Sequence, residues 1–117
     1  MTSKYMAQPT VMNGIRFASR KEANRYNELL LLQHAGIITH LVLQPTFELH
    51  VGAPACLKRD LIHAVKIGEY RADFSYVDTT NGEVITEDVK SPATRTALYR
   101  WKINHLFAEY GIVITEV

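Results

Sequence analysis

The chain lacks most of the features that identify a protein class on sight. It has one cysteine and one tryptophan in 117 residues. With no second cysteine, Cys56 can form neither an internal disulfide nor a zinc knuckle. The five histidines show no His-x-x-x-His or His/Cys spacing, which argues against a zinc site. No Gly-x-x-x-x-Gly-Lys loop is present, so a nucleotide cofactor is not expected, and no Gly-x-Ser-x-Gly supports a serine hydrolase. No run of about 18 apolar residues exists to cross a bilayer. The opening Met1-Thr2-Ser3-Lys4 leads into no signal-peptide core. A soluble, cytoplasmic protein with no membrane partner is therefore expected. A formal charge of +1 means that any surface attractive to phosphate must be local.

What is present is an ordinary single-domain composition, 47% apolar and 21% charged, large enough to bury one core across residues 1–117. Residues 1–18 hold two short β-prone runs around Asn13-Gly14, the dipeptide of type I′ turns, and predict a small N-terminal hairpin. Ser19-x-x-Glu22 has the form of a capping box and opens a helix expected to reach about Ala35, with Gly36 as its stop. Ala23, Tyr26, Leu29 and Leu30 share its inward face with Glu22. One bent strand or two short ones follow, through Gln44-Pro45 to Val51. Residues 52–69 have no clear period and read as an insertion or loop with room for one short helix or strand. Tyr70 to Val77 and Glu83 to Val89 read as strands joined by a turn at Asp78 to Gly82, and Pro92 ends the second. Thr94 to Tyr110 is expected to be a helix with Tyr99, Ile103, Leu106, Phe107 and Tyr110 inward, and Trp101 at the core or its edge. Ile112 to Val117 is a final strand, expected inside the sheet because its start is continuously apolar. The expected fold is α/β, a mixed central sheet flanked by two helices.

Chemistry concentrates in Glu87-Asp88-Val89-Lys90 and in Asp73. If the turn pairs Val77 with Glu83, Asp73 lies opposite Glu87 and beside Asp88, the two aspartates about 5–8 Å apart. Asp88 and Lys90 share a strand face. Carboxylates this close repel, and a shared proton, a cationic side chain or a divalent metal resolves the repulsion. Aspartates, water and a substrate phosphate are typical Mg²⁺ ligands, and Lys90 could position or deprotonate a nucleophile. A solvated Asp/Lys surface pair fits the same spacing. A capping role would by itself account for Glu22. Arg16, Arg20, Lys21, Arg25, Arg95, Arg100 and Lys102 gather near the two helix starts, either as phosphate contacts or as solvated helix faces.

With Glu22 on the first helix, Asp73 on a strand, Asp88-Val89-Lys90 on the next and then a helix and strand, the chain resembles the PD-(D/E)XK nuclease superfamily, whose core is αβββαβ. More narrowly, Gly14-Ile15-Arg16-Phe17-Ala18-Ser19-Arg20-Lys21-Glu22-Ala23, Gln44-Pro45-Thr46-Phe47-Glu48-Leu49, Tyr70-Arg71-Ala72-Asp73-Phe74 and Glu87-Asp88-Val89-Lys90 with Thr94 are similar to a family of small phage and prophage proteins related to Holliday junction resolvase-like endonucleases. The resemblance implies a restriction-endonuclease-like fold and a Mg²⁺-dependent endonuclease, with Mn²⁺ as the alternative metal. It implies Asp73, Asp88 and the Val89 carbonyl as metal ligands, Lys90 as the catalytic lysine and Glu22 as a further acid beside the metal. DNA is the implied partner, with Arg20, Lys21, Arg71, Thr94, Arg95 and Lys102 as candidate contacts, and a homodimer is expected because resolvases cut two strands. A non-catalytic nucleic-acid-binding accessory protein on the same fold is the rival reading. Ala72 stands where the superfamily name has proline.

Overall fold

The computed structural model describes residues 9–52 and 64–117. The Cys56 reading, and residues 53–63 of the expected insertion, lie outside the described residues.

The N-terminal hairpin forms as its turn chemistry dictates. β1 (Thr10–Met12) pairs antiparallel with β2 (Ile15–Phe17), and Asn13 and Gly14 between them both have positive φ, 52° and 76°. Helix α1 (Arg20–His34) starts on Ser19, whose hydroxyl accepts the Glu22 amide at 3.1 Å. It ends in a Schellman motif: Gly36 at φ 77° donates to the Gln33 carbonyl and Ile37 to the Leu32 carbonyl. Ala23, Tyr26 and Leu29 face inward and pack with Phe17, Ile38, Phe74 and Tyr76. The Tyr26 and Phe74 rings stack in this core.

The sheet is a four-stranded mixed one in the order β3-β6-β7-β8, with β3 (Ile38–Leu43), β6 (Phe74–Asp78) and β7 (Val84–Asp88) antiparallel and β8 (Ile114–Glu116) parallel to β7. β4 (Thr46–Val51) and β5 (Val65–Arg71) form a separate two-stranded antiparallel ribbon. The ribbon continues the β3–β6 pair past a shared corner. Gln44 donates to the Asp73 carbonyl at 2.9 Å and Ala72 to the Pro45 carbonyl at 3.0 Å, so the ladder survives the bend. Gln44 turns the chain with a left-handed φ of 52°, and Pro45 has no amide to carry the ladder straight on.

Helix α2 (Ala97–Tyr110) is capped by the Thr96 hydroxyl and closed by Gly111 at φ 72°. It lies on the side of the sheet away from α1, where Tyr99 and Leu106 pack with Leu49, Tyr70 and Ala72 of the ribbon and corner. Among the described residues no helix is long and apolar enough to cross a membrane.

Several sequence expectations are corrected. Tyr70 to Val77 is not one strand: it breaks at Ala72-Asp73, and Tyr70 belongs to the ribbon. Of the expected insertion, residues 65–69 are strand, the short element allowed for within it, and that strand runs on to Arg71. Phe74, not Asp73, pairs with Glu87, so the register is displaced by one residue. α2 begins after a separate 3-10 turn at Pro92–Thr94, and β8 is an edge strand of three residues rather than an interior one. Trp101 is 69% exposed and Phe107 58%, because Tyr99, Ile103 and Leu106 suffice to fill the narrow contact with the ribbon.

Candidate functional site

The corner at Ala72-Asp73 sets the site. Asp73 follows the break and precedes β6, Asp88 ends β7, and Lys90 lies two residues further on. The Asp73 carboxylate accepts the Val89 amide at 2.7 Å through Oδ2, while the Asp73 amide donates to the Glu87 carbonyl at 3.0 Å. Those two bonds fasten the first aspartate to the second one's strand. Ala72 uses its own N–H in the bond to the Pro45 carbonyl, which a proline at that position could not make.

Glu22 reaches this corner from α1. Its carboxyl is hydrogen-bonded to Asp73 and is held at about 7, first by burial, then by the charge and hydrogen bond of Asp73 and the charge of Asp88, against the Ala18 amide. Of the two halves of the expected capping box only the serine half forms this way, and the glutamate turns to the aspartates. Burial likewise raises Asp88 to about 6, opposed mainly by Lys90, and raises Asp73 against the Val89 amide and Lys90. Three carboxyl groups with raised proton affinity thus share one corner.

Asp88 is 3% exposed and accepts a hydrogen bond from the Tyr70 hydroxyl through Oδ2. Lys90 Nζ stands 3.7 Å from the same oxygen and 4.1 Å from the centre of the Tyr99 ring. The Tyr99 hydroxyl in turn donates to Glu116 Oε2 at 2.7 Å, and Arg95 Nε donates to Glu116 Oε1 at 2.9 Å. Lys90 is therefore seated between a carboxylate and an aromatic face, which fixes its ammonium.

Glu87, which the sequence leaves without a role, occupies the opposite face. It is 1% exposed and takes a two-pronged grip from Arg25, Nε to Oε1 at 2.8 Å and Nη2 to Oε2 at 2.5 Å, with a further bond from the Tyr76 hydroxyl. Arg25 is thus an internal partner rather than a phosphate contact.

The remaining candidates separate. Lys21 Nζ donates to the Lys90 carbonyl at 2.7 Å. Thr94 accepts the Ser91 amide and donates to its carbonyl, shaping the turn after Lys90, and Arg95 is held by Glu116. Arg20 is exposed at the start of α1. Arg71 and Lys102 meet on the ribbon side, in a cleft they share with Lys66. Tyr70 and Tyr99 were not among the sequence candidates, though Tyr70 sits inside the motif that carries Asp73.

Among the described residues, no three His, Cys, Asp or Glu side chains stand together as a metal-holding group. Asp88 is engaged instead by Tyr70 and Lys90. The donor chemistry of Glu22, Asp73 and Asp88 is nevertheless all carboxylate oxygen, the kind that Mg²⁺ and Mn²⁺ take.

A family model described as "Protein of unknown function (DUF1064)" matches residues 2–111. The chain belongs to the DUF1064 family. No curated protein and no solved structure matches this DUF1064 chain.

Proposed function

We propose that this DUF1064 protein is a metal-dependent endonuclease that hydrolyses DNA phosphodiester bonds on a restriction-endonuclease-like core. The observation that carries the reading is the convergence, at one corner of the sheet, of Glu22, Asp73 and Asp88 with Lys90 beside them. The order α1-β3-β6-β7-α2-β8, with the ribbon as an outgrowth of β3 and β6, supports it as well, because it follows the αβββαβ core.

In this reading Glu22, Asp73 and Asp88, with the Val89 carbonyl, hold Mg²⁺ or Mn²⁺. The bound ion would supply a water of lowered pKa and would neutralise charge on the phosphodiester. Cation binding also answers the repulsion among carboxyls that otherwise favour protons. Glu22 is the group best placed to carry a proton near pH 7. Lys90, steadied by Tyr99, offers a fixed positive charge to the developing phosphate charge. The substrate is branched or replication- and recombination-associated DNA, met in the cytoplasm of the host of a phage or prophage. A homodimer supplies the second cut.

One observation favours the non-catalytic accessory reading: the Tyr70 hydroxyl and the Lys90 ammonium both engage Asp88 Oδ2, one by a hydrogen bond and one by its charge. Incubation with supercoiled plasmid, linear duplex and a four-way junction, in Mg²⁺, Mn²⁺ or chelator, separates the two. Chelator-sensitive cutting supports the endonuclease, whereas binding with no cutting of any substrate supports the accessory protein.

A further inference from the structure

Beyond the corner, the ribbon and α2 enclose a cleft of about 560 Å³ lined by Thr46, Lys66, Gly68, Glu69, Arg71 and Lys102. Three cations face one carboxylate. The ribbon's irregular register builds this wall: Leu49 pairs with Gly68 but His50 pairs with Lys66, which leaves Ile67 as an extra residue. Such a bulge re-aims the side chains beyond it. It turns Lys66 to the side of Glu48 and Glu69, which it meets at 3.4 and 2.6 Å. An exposed pair of this kind is worth little and is readily exchanged for another anion.

Arg71 and Lys102 line the cleft, and among the described residues no carboxylate lies within ion-pair distance of either. Both act on Glu69, whose carboxyl is held below the usual range first by its hydrogen bond from Lys66 and then by these cations. Arg71 lines the cleft and closes β5 two residues before Asp73, so the cleft adjoins the candidate site. Gly68 has no side chain to narrow it, and a Cβ there would meet nothing within 4 Å.

A second, apolar hollow of about 90 Å³ shares Gly68 and Lys102 with the first and is lined by Ile67, Leu98 and Trp101. Trp101, the chain's single tryptophan, is 69% exposed there. A phosphate seat joined to an exposed aromatic face matches the two halves of a nucleotide, the charge and the base plane. A free phosphate has no use for the second half, and a stacked duplex cannot present a base to it.

We infer that this double cleft binds single-stranded nucleic acid, with a backbone phosphate on Lys66, Arg71 and Lys102 and an unpaired base on Trp101. The strand then leads past Arg71 toward Asp73 and Asp88. That last placement rests on the endonuclease reading, whereas the binding itself does not.

Trp101 is its own reporter. In chelator, titration with a single-stranded oligothymidylate is expected to quench its fluorescence to saturation. An abasic deoxyribose-phosphate oligomer should bind without the quench, inorganic phosphate should leave the signal unchanged, and duplex DNA should bind more weakly. Trp101→Ala is expected to weaken single-strand binding about 5- to 100-fold, followed by anisotropy, as loss of one stacked base does. Arg71→Ala with Lys102→Ala should lower the salt slope by about one per lost phosphate contact. Glu69→Gln, at an exposed position, should tighten binding.

Unchanged affinity in Trp101→Ala and in the double variant overturns the inference, as does a blue shift on anionic phosphatidylglycerol vesicles without quenching by DNA. Quenching without cleavage on any substrate leaves the inference standing and defeats the endonuclease. Cleavage without quenching or variant effects does the reverse.

Discussion

Arg25 on α1 grips Glu87 on β7 with two hydrogen bonds of 2.8 and 2.5 Å, on the face of the sheet opposite Asp88. The strand that carries the candidate chemistry is thereby tied from behind to the helix that delivers Glu22. Removing the arginine strands a carboxylate that is 1% exposed. Arg25→Met should destabilise the fold by about 3 kcal/mol, as loss of one partner of a buried pair does. Arg25→Met with Glu87→Leu should recover most of that loss. Urea unfolding of the two variants checks this, and a single variant within about 1 kcal/mol of the parent would refute a structural role for the pair.

Stability should fall with rising pH in a defined window. Burial first raises Glu22 from 4.5 to about 7 and Asp88 from 3.8 to about 6. Because these folded values lie above the unfolded ones, the folded protein binds more protons in between. Their stabilising contribution is full below the unfolded values and is lost as pH rises through about 6 and 7. The expected slope is about 1.4 kcal/mol per pH unit for each group. Asp78 and Glu116, held low by hydrogen bonds from Thr80 and Tyr99, act in the opposite sense as pH falls into the acid range. The parent therefore has to be compared with Glu22→Gln and Asp88→Asn. Melting curves from pH 4 to 8 should show both variants with a shallower decline and greater stability at pH 8. Mg²⁺ should stabilise the parent at pH 8 and not at pH 5.

Lys90 depends on the ring of Tyr99 more than on its hydroxyl. Tyr99→Phe keeps the face 4.1 Å from Nζ and loses the bond to Glu116, at a cost of about 1 kcal/mol. Tyr99→Leu removes the seat. The rate at which Lys90 reacts with an amine-directed reagent, read by peptide mass spectrometry, should be unchanged in the first variant and raised in the second.

Gln44 holds the corner through an uncommon backbone conformation. With φ at 52° it pays about 1–2 kcal/mol relative to glycine, so Gln44→Gly should be neutral or stabilising. Gln44→Pro cannot adopt that angle and loses the amide that bonds the Asp73 carbonyl, and it should unfold more readily by about 3 kcal/mol. Thermal melts of the two variants should move in opposite directions.

Local signals were the legible ones. Asn13-Gly14, Ser19 and Gly36 act on atoms a few residues away, and the hairpin and both ends of α1 follow from them. Asp73, Asp88 and Lys90 are brought together by hairpin register and strand face even with that register one residue out, because neighbouring strand positions remain close. Glu22 joins them in the sequence only through the family resemblance, since helix phase places it inward without naming its partner. The corner was not legible, since Gln44-Pro45 and Ala72-Asp73 bend together only through bonds across the sheet. For the same reason Tyr70 reads in the sequence as part of the strand of Asp73, although it lies on the ribbon and reaches Asp88 from there. Glu87 has no partner visible in the sequence, because Arg25 arrives from a distant helix. Lys66 was hidden by the bulge at Ile67, which breaks the two-residue period.

The central claim is that Asp88 belongs to a metal-dependent phosphodiester-cleaving site. Its most direct test is single-turnover cutting of a four-way junction in Mg²⁺ by the parent and by Asp88→Asn, prepared identically and shown by melting to be folded. The account predicts cutting that chelator abolishes and that Asp88→Asn slows by at least about a hundredfold, a size typical of losing an electrostatic catalytic group. An Asp88→Asn protein that cuts as fast as the parent, or a parent that cuts equally well in chelator, would contradict it.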